Sequence, residues 1–281
     1  MPQRRSGSTL MFIGALLLGI AIFALVMVVM GARLEKDVSP APASTQEVER
    51  QELAARTQQI ADDGGDVADY GEEWTNALGG VWVPWPDGAP EDYTNPPLPD
   101  LPAGDTNSAL LELSATALGS DLGPVTTSMG VSALTLGAAD ASQCGDYDLA
   151  TVAGIANTGV AVENIESARQ LLELHAAELE IGTRDSELER IALLSDLLDA
   201  QLAAGAPDTR PALVAEPDEG EHVAAAYETV IDQLTFSAMT SDADGKQHVA
   251  AFICHLNQYP DAPQIEALPG LSLVGTADAA G

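Results

Sequence analysis

From Leu10 to Met30 the chain reads LMFIGALLLGIAIFALVMVVM, 21 residues without a charge. At about 1.5 Å per helical residue this run reaches roughly 31 Å, the thickness of a hydrocarbon core. The competing expectation is a cleaved signal peptide. Its apolar core would be shorter, and a small-x-small site should follow closely. Met30-Gly31-Ala32 is a poor site and Ala41-Pro42-Ala43 lies too far downstream. The pattern therefore predicts an uncleaved single-pass helix. Arg4 and Arg5 precede it, while Arg33 and Lys36 are flanked by Glu35 and Asp37, so the bias puts the N-terminus inside. The expected location is the plasma membrane, with residues 1–9 cytoplasmic and the bulk of the chain extracytoplasmic.

Beyond the anchor the apolar spacing is helical. Thr45 to Ile60 is a short polar helix candidate. Leu110, Leu111, Leu113 and Leu118 follow a cap at Thr106 to Ser108, and Gly119 ends the pattern. Residues 124–140 are ambiguous, because Gly, Thr and Ser dilute the apolar signal. Asp146 can cap a helix carrying Leu149, Val152 and Ile155. Ile165, Ala168, Leu172, His175 and Leu179 step by three and four, and Gly182 closes that helix. Ser186 with Glu189 has the spacing of a capping box for the stripe Leu188, Ile191, Leu194, Leu198 and Leu202. Gly205 and Pro207 stop it. Asp218 and Glu219 precede the stripe Val223, Tyr227, Val230, Leu234 and Ala238, where a helix N-terminus favours negative charge. Val249, Phe252, Ile253 and Leu256 mark a last helix ended near Pro260. The expected fold is mainly α, with a single N-terminal transmembrane helix, an extended arm and an antiparallel bundle of five or six helices. Its expected boundaries are a transmembrane helix over 10–30, a linker and arm over 31–104, an acidic helical domain over 105–259 and a loose tail over 260–281.

The arm is the least helical part. Gly79 to Gly104 holds seven prolines in 26 residues, which excludes helix and central strand. All three tryptophans, Trp74, Trp82 and Trp85, lie close by with Tyr70 and Tyr93. A flexible linker has no reason to carry tryptophan. These rings need a surface: their own domain, a partner protein or the membrane interface. Trp74, Trp82, Trp85 and Tyr93 are the candidate partner-binding residues.

Charge and cysteines sharpen the picture. All 43 acidic residues follow the anchor against nine basic ones, a formal −34 for the exported part. Between Arg56 and Arg169 there is no Lys or Arg, but there are 18 Asp and Glu. This argues against nucleic acid as a partner. A halophilic or high-GC proteome explains such acidity, as does a surface complementary to a basic partner. Cys144 and Cys254 form an even pair expected to be a disulfide outside the cytoplasm, the alternative being a buried free thiol at Cys254.

No catalytic motif emerges, so no catalytic residue, metal ligand or cofactor is expected. Glu219 and His222 make one Glu-x-x-His pair, where a di-iron bundle needs two. Asp242-Ala-Asp244-Gly245 has its glycine too early for a calcium loop, whose twelfth position would be Ile253. His175 on an apolar stripe is expected as a hydrogen-bonded core histidine.

In size, single-pass topology and acidity the chain resembles the small accessory subunits of actinobacterial cytochrome bc–cytochrome oxidase supercomplexes. The resemblance carries no motif and assigns no residue a role. It implies a non-catalytic, membrane-anchored accessory subunit of a larger cell-envelope complex, such as a respiratory supercomplex. The alternative expectation is a stand-alone tethered module that binds a cationic, metal or cell-wall ligand.

Overall fold

The computed structural model describes residues 7–29, 43–63, 65–85, 88–89, 94–95, 105–214, 217 and 220–274. The chain divides into two compact units. The smaller contains α1, Gly7–Val29, a helix with no acidic residue in its first turn and no basic residue in its last. Leu16, Leu17, Ile20, Phe23 and Leu25 are all exposed on it. Counting only described residues, no helix is long and apolar enough to cross a membrane, and several α1 side chains lie outside that count. The span over 10–30 therefore stays an expectation from sequence.

The larger unit holds α2 (Thr45–Asp63), α3 (Ala68–Ala77), α4 (Thr106–Leu118), α5 (Pro124–Gly137), α6 (Leu149–Ile155), α7 (Gly159–Glu178), α8 (Arg184–Ala203), α9 (His222–Ala238) and α10 (Ala243–Asn257). All regular structure among the described residues is helical. Several helices start where short polar side chains satisfy the free N–H groups of a first turn. Asp105 accepts from Ser108 N at 2.8 Å, Thr158 from Ala161 N at 3.1 Å and Asp242 from Gly245 N at 2.9 Å. Asp148, rather than Asp146, caps α6 through Thr151 N at 3.0 Å. The expected box at Ser186 and Glu189 does not form, because α8 starts three residues earlier behind Thr183, whose side chain makes no cap bond.

Two apolar clusters share one central helix. Leu53, Ile60, Trp74, Leu110, Leu113 and Met129 build the first between α2, α3, α4 and α5. Val131, Val162, Ile165, Leu194, Val230 and Phe252 belong to the second, among α5 to α10. Helix α5 thus contributes Met129 to one side and Val131 to the other. Ten of its 14 residues are buried, many of them Thr, Ser or Gly. Those small residues let backbones approach. A Cβ at Gly130 would sit 2.7 Å from Leu118 Cγ, and one at Gly137 2.9 Å from Leu110 Cβ. This is why the segment reads poorly: a helix buried on several sides by small polar residues has no apolar stripe.

The bundle is larger than its expected 105–259. Helices α2 and α3 belong to it, so the linker assigned to 31–104 is helical in part. The tail is not loose through residue 274. Tyr70 Oη donates to Ile265 O at 2.5 Å and Trp74 Nε1 to Ala267 O at 2.7 Å. Ser128 Oγ donates to Pro269 O at 2.7 Å and Ser132 Oγ to Glu266 O at 2.8 Å. Residues 263–270 form a strap across α3, α5 and α9. It has no periodic pattern because its backbone is satisfied by side chains of other elements.

A disulfide joins Cys144 to Cys254 with Cα atoms 5.5 Å apart, both residues buried. It fastens α10 to the loop before α6. The two histidines of α10 support the same junction. Asp148 N donates to His248 Nδ1 at 3.2 Å, and His255 Nε2 lies 2.9 Å from Gly145 O. The Asp242-Ala-Asp244-Gly245 motif proves to be a helix cap.

Candidate interaction site

The described part of the arm after α3 is bonded to α2 at its root and carries an exposed Trp82 and a half-buried Trp85. Its root is a turn at Gly79 and Gly80, both at positive φ (82° and 75°), which only glycine adopts without strain. Arg50 of α2 pins that turn. Its Nε and Nη2 form a two-point contact with Glu47 at 2.9 and 2.6 Å. Its Nη1 donates to Leu78 O and to Gly80 O. The Arg50 and Gln51 hydrogen bonds pull the Glu47 carboxyl down to about 2. Next door, Trp82 N donates to Gln51 Oε1 at 2.8 Å. Farther along, Asn95 and Trp85 exchange two bonds, each of 3.1 Å. The backbone from Leu78 to Trp82 is therefore held to α2 while Trp82 and Val83 remain 44 and 42% exposed.

The four residues expected to contact a partner have different fates. Trp74 is fully buried in α3 and bonded to the strap, so it is corrected to a core residue. Its ring tilts against Tyr70 at 5.8 Å. Trp82 is exposed and Trp85 half-buried. Tyr93 lies outside the described residues, as do Asp218 and Glu219.

Sequence reasoning missed a buried charged knot. Glu187 and Arg190 of α8 pair at 2.9 Å with side chains only 2 and 1% exposed. Arg190 Nη2 also donates to Pro260 O at 2.7 Å, and its guanidinium lies over the rings of Tyr227 (5.3 Å) and Tyr259 (5.6 Å). His175 Nδ1 stands 3.2 Å from Glu187 but is partly exposed, which corrects its expected core placement. The signal was present as spacing. Arg190, Ile191, Leu194, Leu198 and Gln201 fall three, four, seven, eleven and fourteen residues after Glu187, on one helix face, so the buried stripe runs through the charged pair. Leu188, assigned to the stripe from sequence, is exposed. Among the described residues no group of three or more His, Cys, Asp or Glu side chains is placed to hold a metal ion.

No family model, no curated protein and no solved structure matches the chain.

Proposed function

We propose that the chain is a membrane-anchored, non-catalytic accessory subunit that docks a helical extracytoplasmic domain onto a larger cell-envelope complex through the Trp82–Trp85 arm. One observation carries the reading: an exposed tryptophan and valine on a backbone tied down by Arg50 and Gln51 of α2. Holding the arm in place removes part of the ordering cost of association. Tryptophan supplies the large apolar contact typical of interface anchors. The uncharged Leu10–Met30 run and the exposed apolar face of α1 support the anchor. An anchor confines encounters to the membrane plane and raises the effective concentration of partner. A respiratory supercomplex is the proposed type of complex, on the resemblance in size, topology and acidity.

The test is a mild-detergent pull-down of the tagged full chain from its native membranes, with mass spectrometry and a haem absorbance spectrum. Stoichiometric haem-bearing subunits are expected, lost in the Trp82→Ala/Trp85→Ala double variant with helical content unchanged. A haem-free monomer overturns the reading and favours the stand-alone binding module. Retention of the double variant in the complex removes the arm as the docking element.

A further inference from the structure

The strap covers the bundle but leaves an apolar cleft along its α9 edge. Tyr227 and Ile231 of α9 and Ile265 of the strap, all buried, form its base, with Pro263 and Pro269 as walls. Its volume is about 170 Å³. That suits one long side chain rather than a folded element. A second cleft on the α3 edge of the strap is lined by Tyr70, Ala267 and Leu268. Glu266 borders both clefts.

The charges at the rims are of one sign. Glu228 and Asp232 stand at the α9 edge, one helical turn apart, where like charges repel. Asp69 and Glu73 stand at the α3 edge. Among the described residues none of these, nor Glu266, is paired with Lys or Arg. Asp232 Oδ1 accepts from Gly270 N at 2.7 Å, which locks the strap but adds no positive charge. Burial, then Glu228, raises the Asp232 carboxyl. Burial, then Asp232, Glu228 and Glu73, raises that of Glu266. An incoming cation relieves this repulsion. The absence of convergent metal-ligand geometry among the described residues disfavours a compact ion. An apolar base beneath a carboxylate rim matches a side chain with an alkyl stem and a charged head.

We propose that the cleft between α9 and the C-terminal strap is a docking pocket for a Lys or Arg side chain presented by an extended basic segment of a partner protein. This surface is separate from the arm and does not rest on the arm's role. The protein's formal charge of −32 steers such a segment toward it, while the apolar base and short reach of the cleft select the side chain.

The test uses the full chain in detergent micelles at about 0.15 M salt, where exposed charges are screened beyond about 8 Å. The probe is a labelled Gly/Ser peptide carrying three arginines, read by fluorescence anisotropy, beside its citrulline counterpart. Saturable binding of the arginine peptide is expected, with slower amide exchange over residues 263–270. Glu228→Gln/Glu266→Gln should weaken it at least about tenfold, roughly 1.4 kcal/mol. Neutralising Asp62 and Asp63, which lie elsewhere, should change it less than about twofold. Equal losses in the two double variants would reveal diffuse attraction and overturn the proposal. So would equal binding of the citrulline peptide, full competition by spermidine at the same concentration, or no saturable binding. The Trp82→Ala/Trp85→Ala variant should bind the peptide normally, so failure here and failure of the arm are told apart.

Discussion

Trp74 joins the two ends of the folded domain, and replacing it tests whether they are energetically one body. Its ring is fully buried in the first apolar cluster, and its N–H reaches Ala267, 193 residues away in sequence. Trp74→Phe keeps most of the apolar volume and removes the donor. The loss of one hydrogen bond and the stranding of a buried carbonyl cost about 1–3 kcal/mol. For a domain of this size about 2 kcal/mol corresponds to roughly 4–8 °C in Tm. Trp74→Ala adds a cavity and should cost about 3–5 kcal/mol, a large part of the roughly 5–15 kcal/mol that holds a domain together. The assay is urea unfolding of the full chain followed by circular dichroism, paired with hydrogen exchange on the strap. Both variants should speed exchange over residues 263–270 ahead of global unfolding. If Trp74→Phe matches the parent within about 0.5 kcal/mol and leaves strap exchange unchanged, the strap is not held as described.

Three further outcomes follow from particular contacts. Cys144→Ser should destabilise the domain by up to about 4.8 kcal/mol, because the bridge spans 110 residues and the chain-entropy cost grows with loop length; an unchanged denaturation midpoint would mean the bridge adds nothing. Arg190→Met should cost about 3–5 kcal/mol by leaving Glu187 charged and buried, while Glu187→Leu/Arg190→Met should recover most of it; a double variant as unstable as the single would refute the pair as the cause. Asp232 is raised from 3.8, chiefly by burial, so the fold favours its protonated form. Its contribution is complete below the unfolded pKa and is lost as pH rises from 3.8 through the folded value. Asp232→Asn keeps an acceptor for Gly270 and should hold or raise Tm at pH 7 while removing this residue's loss of stability as pH rises above 3.8; a lower Tm at pH 7 with the profile unchanged would contradict this.

The sequence disclosed the helices whose buried faces are built from large side chains. Of the stripe Val223, Tyr227, Val230, Leu234 and Ala238 of α9, all but the half-buried Val223 are buried as the spacing implied, and so are Val249, Phe252, Ile253 and Leu256 of α10. It concealed elements that satisfy the core by other means. Helix α5 is packed with Thr, Ser and Gly, which leave its pattern ambiguous until Leu110 and Leu118 are seen against them. The strap offers backbone carbonyls to Tyr70, Trp74, Ser128 and Ser132, and an interaction with a backbone leaves no residue-type signature. The aromatic cluster near the arm was visible, but its division was not. Trp74 falls inside a helical turn and is enclosed, whereas Trp82 follows the Gly79–Gly80 turn and is not. The clefts beside the strap were invisible, because α9 and residues 263–269 meet only in three dimensions.

The distance along the chain between Trp74 and Ala267 also sets a schedule. At about 5–20 residues per second, the ribosome needs roughly 10–40 s to make the 193 residues that separate them. Through that interval the nascent N-terminal half has its tryptophan but not the carbonyl that receives it, and Cys144 waits similarly for Cys254. Helices α2 to α5 can form early from local contacts, yet their shared core stays unsealed until the strap has been made. During this interval the unfinished chain presents its apolar surface to chaperones, and a stop codon placed before the strap would extend that exposure indefinitely.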